Sequence, residues 1–220
     1  MDFPLVLGPL LERAETQAKR VEIVWRRADR SIGRSNWGEL GSRARTLARG
    51  LSRLSLRRGD RVATFLHNQP EHLEAYYGIP LAGGVLHPLN FRLHPDELAN
   101  ITRHARDRFL LADESLLPLL AAFRDRAPFE RVFVVSAGAD PGRLRILRID
   151  PGAGRARHPL PQLSEHEAAA LCYTSGTTGA SKGSPTRTAR SSSTPSSAPW
   201  PTASASRRGT RSSPSPRCST

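Results

Sequence analysis

Eleven residues, Tyr173-Thr174-Ser175-Gly176-Thr177-Thr178-Gly179-Ala180-Ser181-Lys182-Gly183, gather three glycines, five aliphatic hydroxyls and one lysine. Glycine lets a backbone turn tightly and bring its N–H groups against an anion. Hydroxyls add neutral donors that can also face a divalent cation, and the lysine adds a point charge. Such a set suits a polyphosphate, and the chemistry it points to is that of ATP. The nucleoside-triphosphatase P-loop needs a glycine immediately before its lysine and a Ser or Thr after it. Here Ser181 precedes Lys182 and Gly183 follows it, so the pattern fails at both positions. A flexible Ser/Thr/Gly linker, the bland alternative, has no reason to place Lys-Gly at that offset.

A loop of this kind must be held by regular elements. Directly upstream, residues 168–173 are apolar and short, as a buried strand feeding the loop should be. Residues 5–18 place Leu5, Leu7, Leu10, Leu11 and Ala14 at helical spacing, and 21–25 alternate like a strand. Asn36 can cap a helix whose Leu40, Leu47, Leu51 and Leu54 share a face, and Arg58-Gly59-Asp60 breaks it before a strand at 61–66. Helix 71–79, strand and turn 84–89, helix 94–104 with Pro95 in its first turn, strand 108–112, helix 114–124 and strand 131–135 continue the alternation. That alternation predicts an α/β fold built on a doubly wound, mainly parallel sheet.

With the loop and these elements together, the chain resembles the adenylate-forming superfamily of acyl-CoA synthetases, peptide-synthetase adenylation domains and luciferases. The family pattern reads aromatic-TSGTTG-x-P-K-G, and the chain departs from it only at Ser181, where proline is usual. A second resemblance is independent of the loop. Gly59-Asp60-Arg61-Val62-Ala63, residues 71–78, Leu86-His87-Pro88-Leu89-Asn90 and residues 93–98 look, in order and spacing, like the N-terminal subdomain of bacterial fatty-acyl-CoA ligases. The resemblance covers about residues 1–135 and 163–183; residues 143–161 read only as an Arg- and Gly-rich loop.

What the resemblance implies is a two-step ligase reaction. A fatty-acid carboxylate attacks the α-phosphate of Mg·ATP to give acyl-adenylate and pyrophosphate, and CoA then displaces AMP. Thr174, Ser175, Thr177 and Thr178, with the amides of Gly176 and Gly179, would hold the β- and γ-phosphates, and Lys182 would add charge to the leaving pyrophosphate. ATP, Mg²⁺, CoA and the fatty acid are the implied ligands. The family's adenylation lysine and Mg²⁺-binding glutamate have no counterpart in these residues, so no catalytic residue is assigned and the 220-residue chain is expected to be inactive. An aryl-CoA ligase or a peptide-synthetase adenylation domain is the alternative within the same superfamily.

Composition divides the chain at Gly183. Residues 184–220 hold 12 serines and 6 arginines, no acidic residue and no Leu, Ile, Val, Met or Phe. Nothing there can bury enough apolar area to fold. The expected organisation is therefore a synthetase N-terminal domain at 1–183 and a disordered Ser/Arg/Pro-rich tail at 184–220. One back-translation of 184–195, read a base earlier, yields an aromatic, Thr, His and Arg before apolar residues, as the family continues. Read in the same frame, 217–220 yield Met-Phe-His. The tail is thus expected to be out-of-frame translation; the alternative is a genuine basic tail that binds nucleic acid.

The net charge is +13, of which +6 lies in that tail. In the body, Arg43, Arg45, Arg49 and Arg53 alternate with leucines, which reads as a solvated helix face rather than a nucleic-acid stripe. His67, His72, His87, His94 and His104 match no metal spacing, and His87 and His94, flanking a turn, are expected at a surface or interface. Trp25, Trp37, Tyr76 and Tyr77 are expected as core or rim aromatics. Two cysteines give no disulfide framework, the N-terminus lacks signal-peptide features, and no apolar run approaches about 18 residues, so a cytoplasmic protein is expected.

Overall fold

The computed structural model describes residues 6–26, 30–135, 160–174 and 182–187, the side chains of Thr174 and of 182–187 excepted. All of them fall within one compact unit that ends at Arg190. Helix α1 (Leu7–Gln17) is followed by an antiparallel pair, β1 (Glu22–Arg26) and β2 (Ile32–Asn36). Next come α2 (Trp37–Arg53), β3 (Arg61–Phe65), α3 (Pro70–Leu81), β4 (Val85–Pro88), α4 (Pro95–Ala105) and β5 (Asp107–Asp113). A 3-10 turn (Glu114–Leu116), α5 (Leu117–Ala121), a second 3-10 turn (Arg124–Arg126), β6 (Arg131–Val135), β7 (Ala168–Thr174) and β8 (Lys182–Arg187) complete the order.

The large sheet runs β6-β5-β3-β4-β7-β8; β8 is antiparallel to β7, and every other neighbouring pair is parallel. Side-chain alternation along β3 and β5 explains the layers, because successive residues point to opposite faces. Val62, Phe109 and Leu111 pack with Leu11, Leu40, Leu47, Leu51 and Ile79 of α1, α2 and α3 on one face. Ala63, Phe65, Leu110 and Ala112 pack with Leu98, Ile101, Leu120 and Phe123 on the other. Helices on both faces of a mainly parallel sheet make it doubly wound, as expected.

Local signals account for most element boundaries. The Asn36 side chain accepts from the Glu39 N–H at 2.9 Å, the capping bond that starts α2, and Pro95 opens α4 where a missing N–H costs nothing. The helix expected over 114–124 is instead divided into two 3-10 turns around the short α5, whose second position is Pro118. Strand β2 had no sequence signal. Strand β7 is half-buried rather than buried, with Cys172 exposed, because among the described residues β8 alone lies beyond it. No helix among the described residues is long and apolar enough to cross a membrane.

The α2 arginines divide in two. Arg49 and Arg53 are exposed, as expected, but Arg43 and Arg45 are braces. Arg45 Nη2 meets Glu15 of α1 at 2.6 Å, and Arg43 Nε meets Glu74 of α3 at 2.6 Å while its Nη2 reaches Ser35. Between the last two helices, a Cβ on Gly78 would sit 2.8 Å from the Ala44 carbonyl oxygen and 2.9 Å from Leu47 Cδ2. The helices touch there because residue 78 has no side chain. Gly78→Ala must push backbone apart and is expected to cost about 1–3 kcal/mol in a denaturant melt.

Burial pushes the Glu74 carboxyl from its ordinary 4.5 up to about 7, against the opposing pull of Arg43. The folded state then holds the proton more tightly than the unfolded chain. Glu74 therefore favours folding most below pH 4.5, and that contribution fades as pH rises to about 7. Relative to Glu74→Gln, the unsubstituted chain is expected to lose on the order of 3 kcal/mol between pH 4.5 and 7, read from melts at both ends of that window. Parallel pH profiles for the two proteins would exclude the shift.

Candidate functional site

In open α/β sheets, ligands bind beyond the carboxyl ends of the strands, where successive connections leave to opposite faces. Here β3 connects to β4 through α3 on one face, and β4 connects to β5 through α4 on the other. The carboxyl ends of β3 and β4 therefore flank a switch point. Strand β7 runs parallel to β4, in register Leu86↔Ala170, so its carboxyl end comes to the same edge of the sheet. That end is Thr174, where the chemically distinctive loop begins.

The structure closes the loop's base. Strands β7 and β8 form an antiparallel hairpin with Thr174↔Lys182, Tyr173↔Gly183, Cys172↔Ser184 and Leu171↔Pro185 as partners. Of the expected phosphate-binding residues, the structure thus brings the backbones of Thr174 and Lys182 opposite one another. Ser175, Gly176, Thr177, Thr178 and Gly179 lie outside the described residues. Strand β8 also runs four residues past Gly183, to Arg187, so the expected boundary of order falls inside a strand. A ladder is made by backbone groups, which Ser184, Thr186 and Arg187 supply without being apolar. Residues 188–220 lie outside the described residues.

Strand β7 is tied to its surroundings through Tyr173. The Tyr173 ring lies 5.1 Å from the His87 ring, centroid to centroid, and 5.8 Å from the His104 ring at 86°. Its hydroxyl is 2.5 Å from His104 Nδ1. Burial, reinforced by the charge of Asp107, pushes the phenol above its ordinary range, so it stays protonated and able to donate. Beneath it, His87 Nδ1 donates to both oxygens of Asp107, at 2.9 and 2.8 Å, and both residues are fully buried. Burial pushes the Asp107 carboxyl upward, opposed by the His87 hydrogen bond and the nearby Arg61 charge. His87 is therefore not the surface or interface histidine that its place beside a turn suggests: β4 lies between β3 and β7, and the Asp107 carboxylate supplies the polar partner that makes burial tolerable. His94, by contrast, is exposed.

The carboxyl ends of β3 and β5 carry mutually satisfied polar groups. Thr64 Oγ1 and His72 Nε2 are 3.0 Å apart, Gln69 donates to Asp113 at 2.9 Å, and His67 meets Ser115 at 3.1 Å. Burial lowers the His72 pKa, which keeps that ring neutral and suited to its hydroxyl partner. These groups hold the edge together. Among the described residues, no three His, Cys, Asp or Glu side chains gather as metal ligands would. Periodicity gave no hint of Asp107, which sits in a basic run, Arg103-His104-Ala105-Arg106, and reads as an ordinary surface acid.

Comparison with known proteins places this arrangement. Residues 10–203 match the family model described as AMP-binding enzyme. The chain is 37% identical over 192 residues to a 3-methylmercaptopropionyl-CoA ligase of Ruegeria lacuscaerulensis, covering 83% of the chain and 35% of that protein. It is 40% identical over 183 residues to a long-chain-fatty-acid–CoA ligase of Thermus thermophilus, covering 83% and 33%. Among solved structures, an anthranilate CoA ligase in complex with anthranoyl-AMP superposes with a TM-score of 0.68 at 23% identity, over 85% of this chain and 36% of that one. A fatty acyl CoA synthetase of Mycobacterium tuberculosis superposes with a TM-score of 0.65 at 21% identity, over 84% and 35%, and both likenesses speak to the fold. The chain spans about a third of the length of the curated relatives it matches. With a family match over most of its length and the fold to go with it, the chain belongs to the AMP-binding enzyme family.

Proposed function

We propose that these residues are part of an ATP-dependent fatty-acid–CoA ligase and supply its polyphosphate-binding hairpin. The observation that carries this reading is the hairpin itself: a Gly- and hydroxyl-rich loop, 175–181, opened and closed by the paired residues Thr174 and Lys182 at the carboxyl edge of a doubly wound sheet. The relatives that support the acid-and-thiol reaction include ligases named for long-chain and medium-chain fatty acids, 3-methylmercaptopropionate and 4-hydroxybutyrate.

In this reading the hydroxyls of Thr174, Ser175, Thr177 and Thr178 and the amides of Gly176 and Gly179 bind the β- and γ-phosphates. Lys182 counters the charge that builds on the departing pyrophosphate. Phosphoryl and adenylyl transfers need positioning and charge neutralisation more than covalent help from the protein. Mg²⁺ would arrive with ATP, and the hydroxyl oxygens of this loop are hard donors of the type it accepts. CoA is the proposed second substrate.

The composition of 184–220 supports a further part of the reading: these residues are translated one base out of the frame that encodes the rest of the ligase. The family match, 10–203, crosses that point, so the locus itself decides. A neighbouring frame that continues the family's sequence supports the frameshift, and a transcript encoding 184 onward in the frame given excludes it.

Two outcomes are expected at the bench. The 220-residue chain should bind Mg·ATP, and Lys182→Ala should weaken that binding by about tenfold, the scale of one charge-assisted contact, in equilibrium dialysis. Undiminished binding in the variant would remove Lys182 from the phosphate site. The same chain, given ATP, a fatty acid and CoA, is expected to release no pyrophosphate, and catalytic turnover would show that the proposed inactivity is wrong.

A further inference from the structure

We propose that His104 and the buried His87–Asp107 pair are positioning residues for the β7–β8 hairpin, acting through Tyr173. This rests on the phosphate-binding reading of residues 175–181 for its functional consequence, though not for its geometry.

The need for such a tie follows from the ladders. Strand β7 is joined to the parallel part of the sheet at Leu86↔Ala170, and among the described residues its register with β4 goes no further. The four residues from Leu171 to Thr174 are paired on their other side with β8, which among the described residues is the outer strand of the sheet. Backbone pairing alone therefore leaves the loop-bearing end of the hairpin anchored to a strand that needs anchoring itself.

Tyr173 supplies the missing restraint. Its ring packs against the second core cluster, its face leans on His87, and its hydroxyl meets His104 on the last turn of α4. Each support is tied to a further element, although the His104 ring is itself exposed. His87 is fully buried and held by both oxygens of Asp107. The end of α4 is fixed by Arg61, whose Nε donates to the Ala105 carbonyl at 2.5 Å and whose Nη2 donates to the Arg106 carbonyl at 3.2 Å. Tyr173 adjoins Thr174, so a displacement of the ring carries directly into the first residue of the loop.

An aromatic needed only for packing would require none of this polarity. Among the described residues His87 Nε2 is buried with no hydrogen-bond partner, a cost that an apolar side chain would avoid. Phenylalanine would fill the space of Tyr173 as well. The histidines and the hydroxyl are therefore read as devices that fix orientation, and no reacting group is asked to touch them.

Tyr173→Phe and His104→Ala, made in the 220-residue chain, test this by amide hydrogen exchange and by Mg·ATP binding. Both variants are expected to speed exchange at Tyr173, Thr174, Lys182 and Gly183 about fivefold while the slow amides of β3 and β5 keep their rates. Both should weaken Mg·ATP binding by a similar factor, and His104→Gln, which keeps a hydrogen-bonding group within reach of the phenol, should restore both readouts. Unchanged exchange at the hairpin overturns the proposal. So does acceleration shared by β3 and β5, which would mark a general loss of stability. Faster hairpin exchange with undiminished Mg·ATP binding also overturns it if Lys182→Ala does weaken binding. If Lys182→Ala leaves Mg·ATP binding intact as well, faster exchange upholds the clamp on the hairpin and the phosphate-binding reading fails instead.

Discussion

Two-sided burial of β3 and β5 is the constraint on which the rest of this structure depends. A strand whose odd and even residues are both apolar can be dried only by layers on both faces, and a single chain must then send its crossovers alternately above and below the sheet. Val62 and Ala63, or Phe109 and Leu110, illustrate the requirement: neighbours in sequence, they belong to different cores. Once α3 covers one face and α4 the other, the connections that follow β3 and β4 leave to opposite faces, although the two strands stay paired through Thr64 and Pro88. The switch point is a by-product of burying the strands. Strand β7 then needs only to add parallel to β4 for its terminal loop to arrive there.

The two edges of the sheet are stabilised differently. At the amino edge, arginine side chains fasten neighbouring segments through carbonyls and carboxylates. Arg108 donates to the Ser55 carbonyl at 2.8 Å, to Asp60 at 2.6 Å and to Glu130 at 2.7 Å, joining the starts of β3, β5 and β6. Arg61 caps the end of α4, where Arg106 takes a left-handed φ of 55° that usually suits glycine. Arg58 reaches Glu167 at 2.6 Å, just before β7. Exposed ion pairs contribute little on their own, but donors aimed at helix-end carbonyls satisfy groups that would otherwise lack partners. Several of the body's basic residues are thus structural.

How far the fold could be read in advance follows from what each residue answers to. Helix α2 was legible because Asn36, Leu40, Leu47 and Leu51 act within the helix or on one face of it, and local signals are written in local spacing. Strand β2 was not, because Gly33 lies where any Cβ would strike the Trp25 ring of β1, a requirement set across the hairpin rather than along the strand. The same holds for polar partners. Arg43 and Glu74 are 31 positions apart, and His87 and Asp107 are 20 apart, so nothing in either neighbourhood distinguishes a brace from a solvated charge. Of the candidate site, the Gly- and hydroxyl-rich composition of the loop was legible from residue types. Its support by Tyr173, His87 and His104 was not, because that support exists only once α4 and β7 are packed together.

That asymmetry has a physical origin. Backbone amides bind phosphate well only if they already point at it, since the cost of arranging them is otherwise taken from the affinity. Glycine, which permits the required turns, is also the residue with the most conformational freedom to lose, so a loop rich in it specifies its own shape poorly. The order must come from outside the loop. Pairing of Thr174 with Lys182 brings the two ends together, which limits the accessible closures of 175–181 but leaves the hairpin free to pivot about β7. Removing that pivot takes a side chain at the base of the loop that is anchored to a different element. Position 173 is the last one before the loop that faces the second core, and the tyrosine there bears on β4 through His87 and on α4 through His104. The chemistry of the proposed site is thus concentrated in a few consecutive residues, while the rigidity that chemistry would need is distributed over strands and a helix as much as 86 residues away in sequence, from His87 to Tyr173.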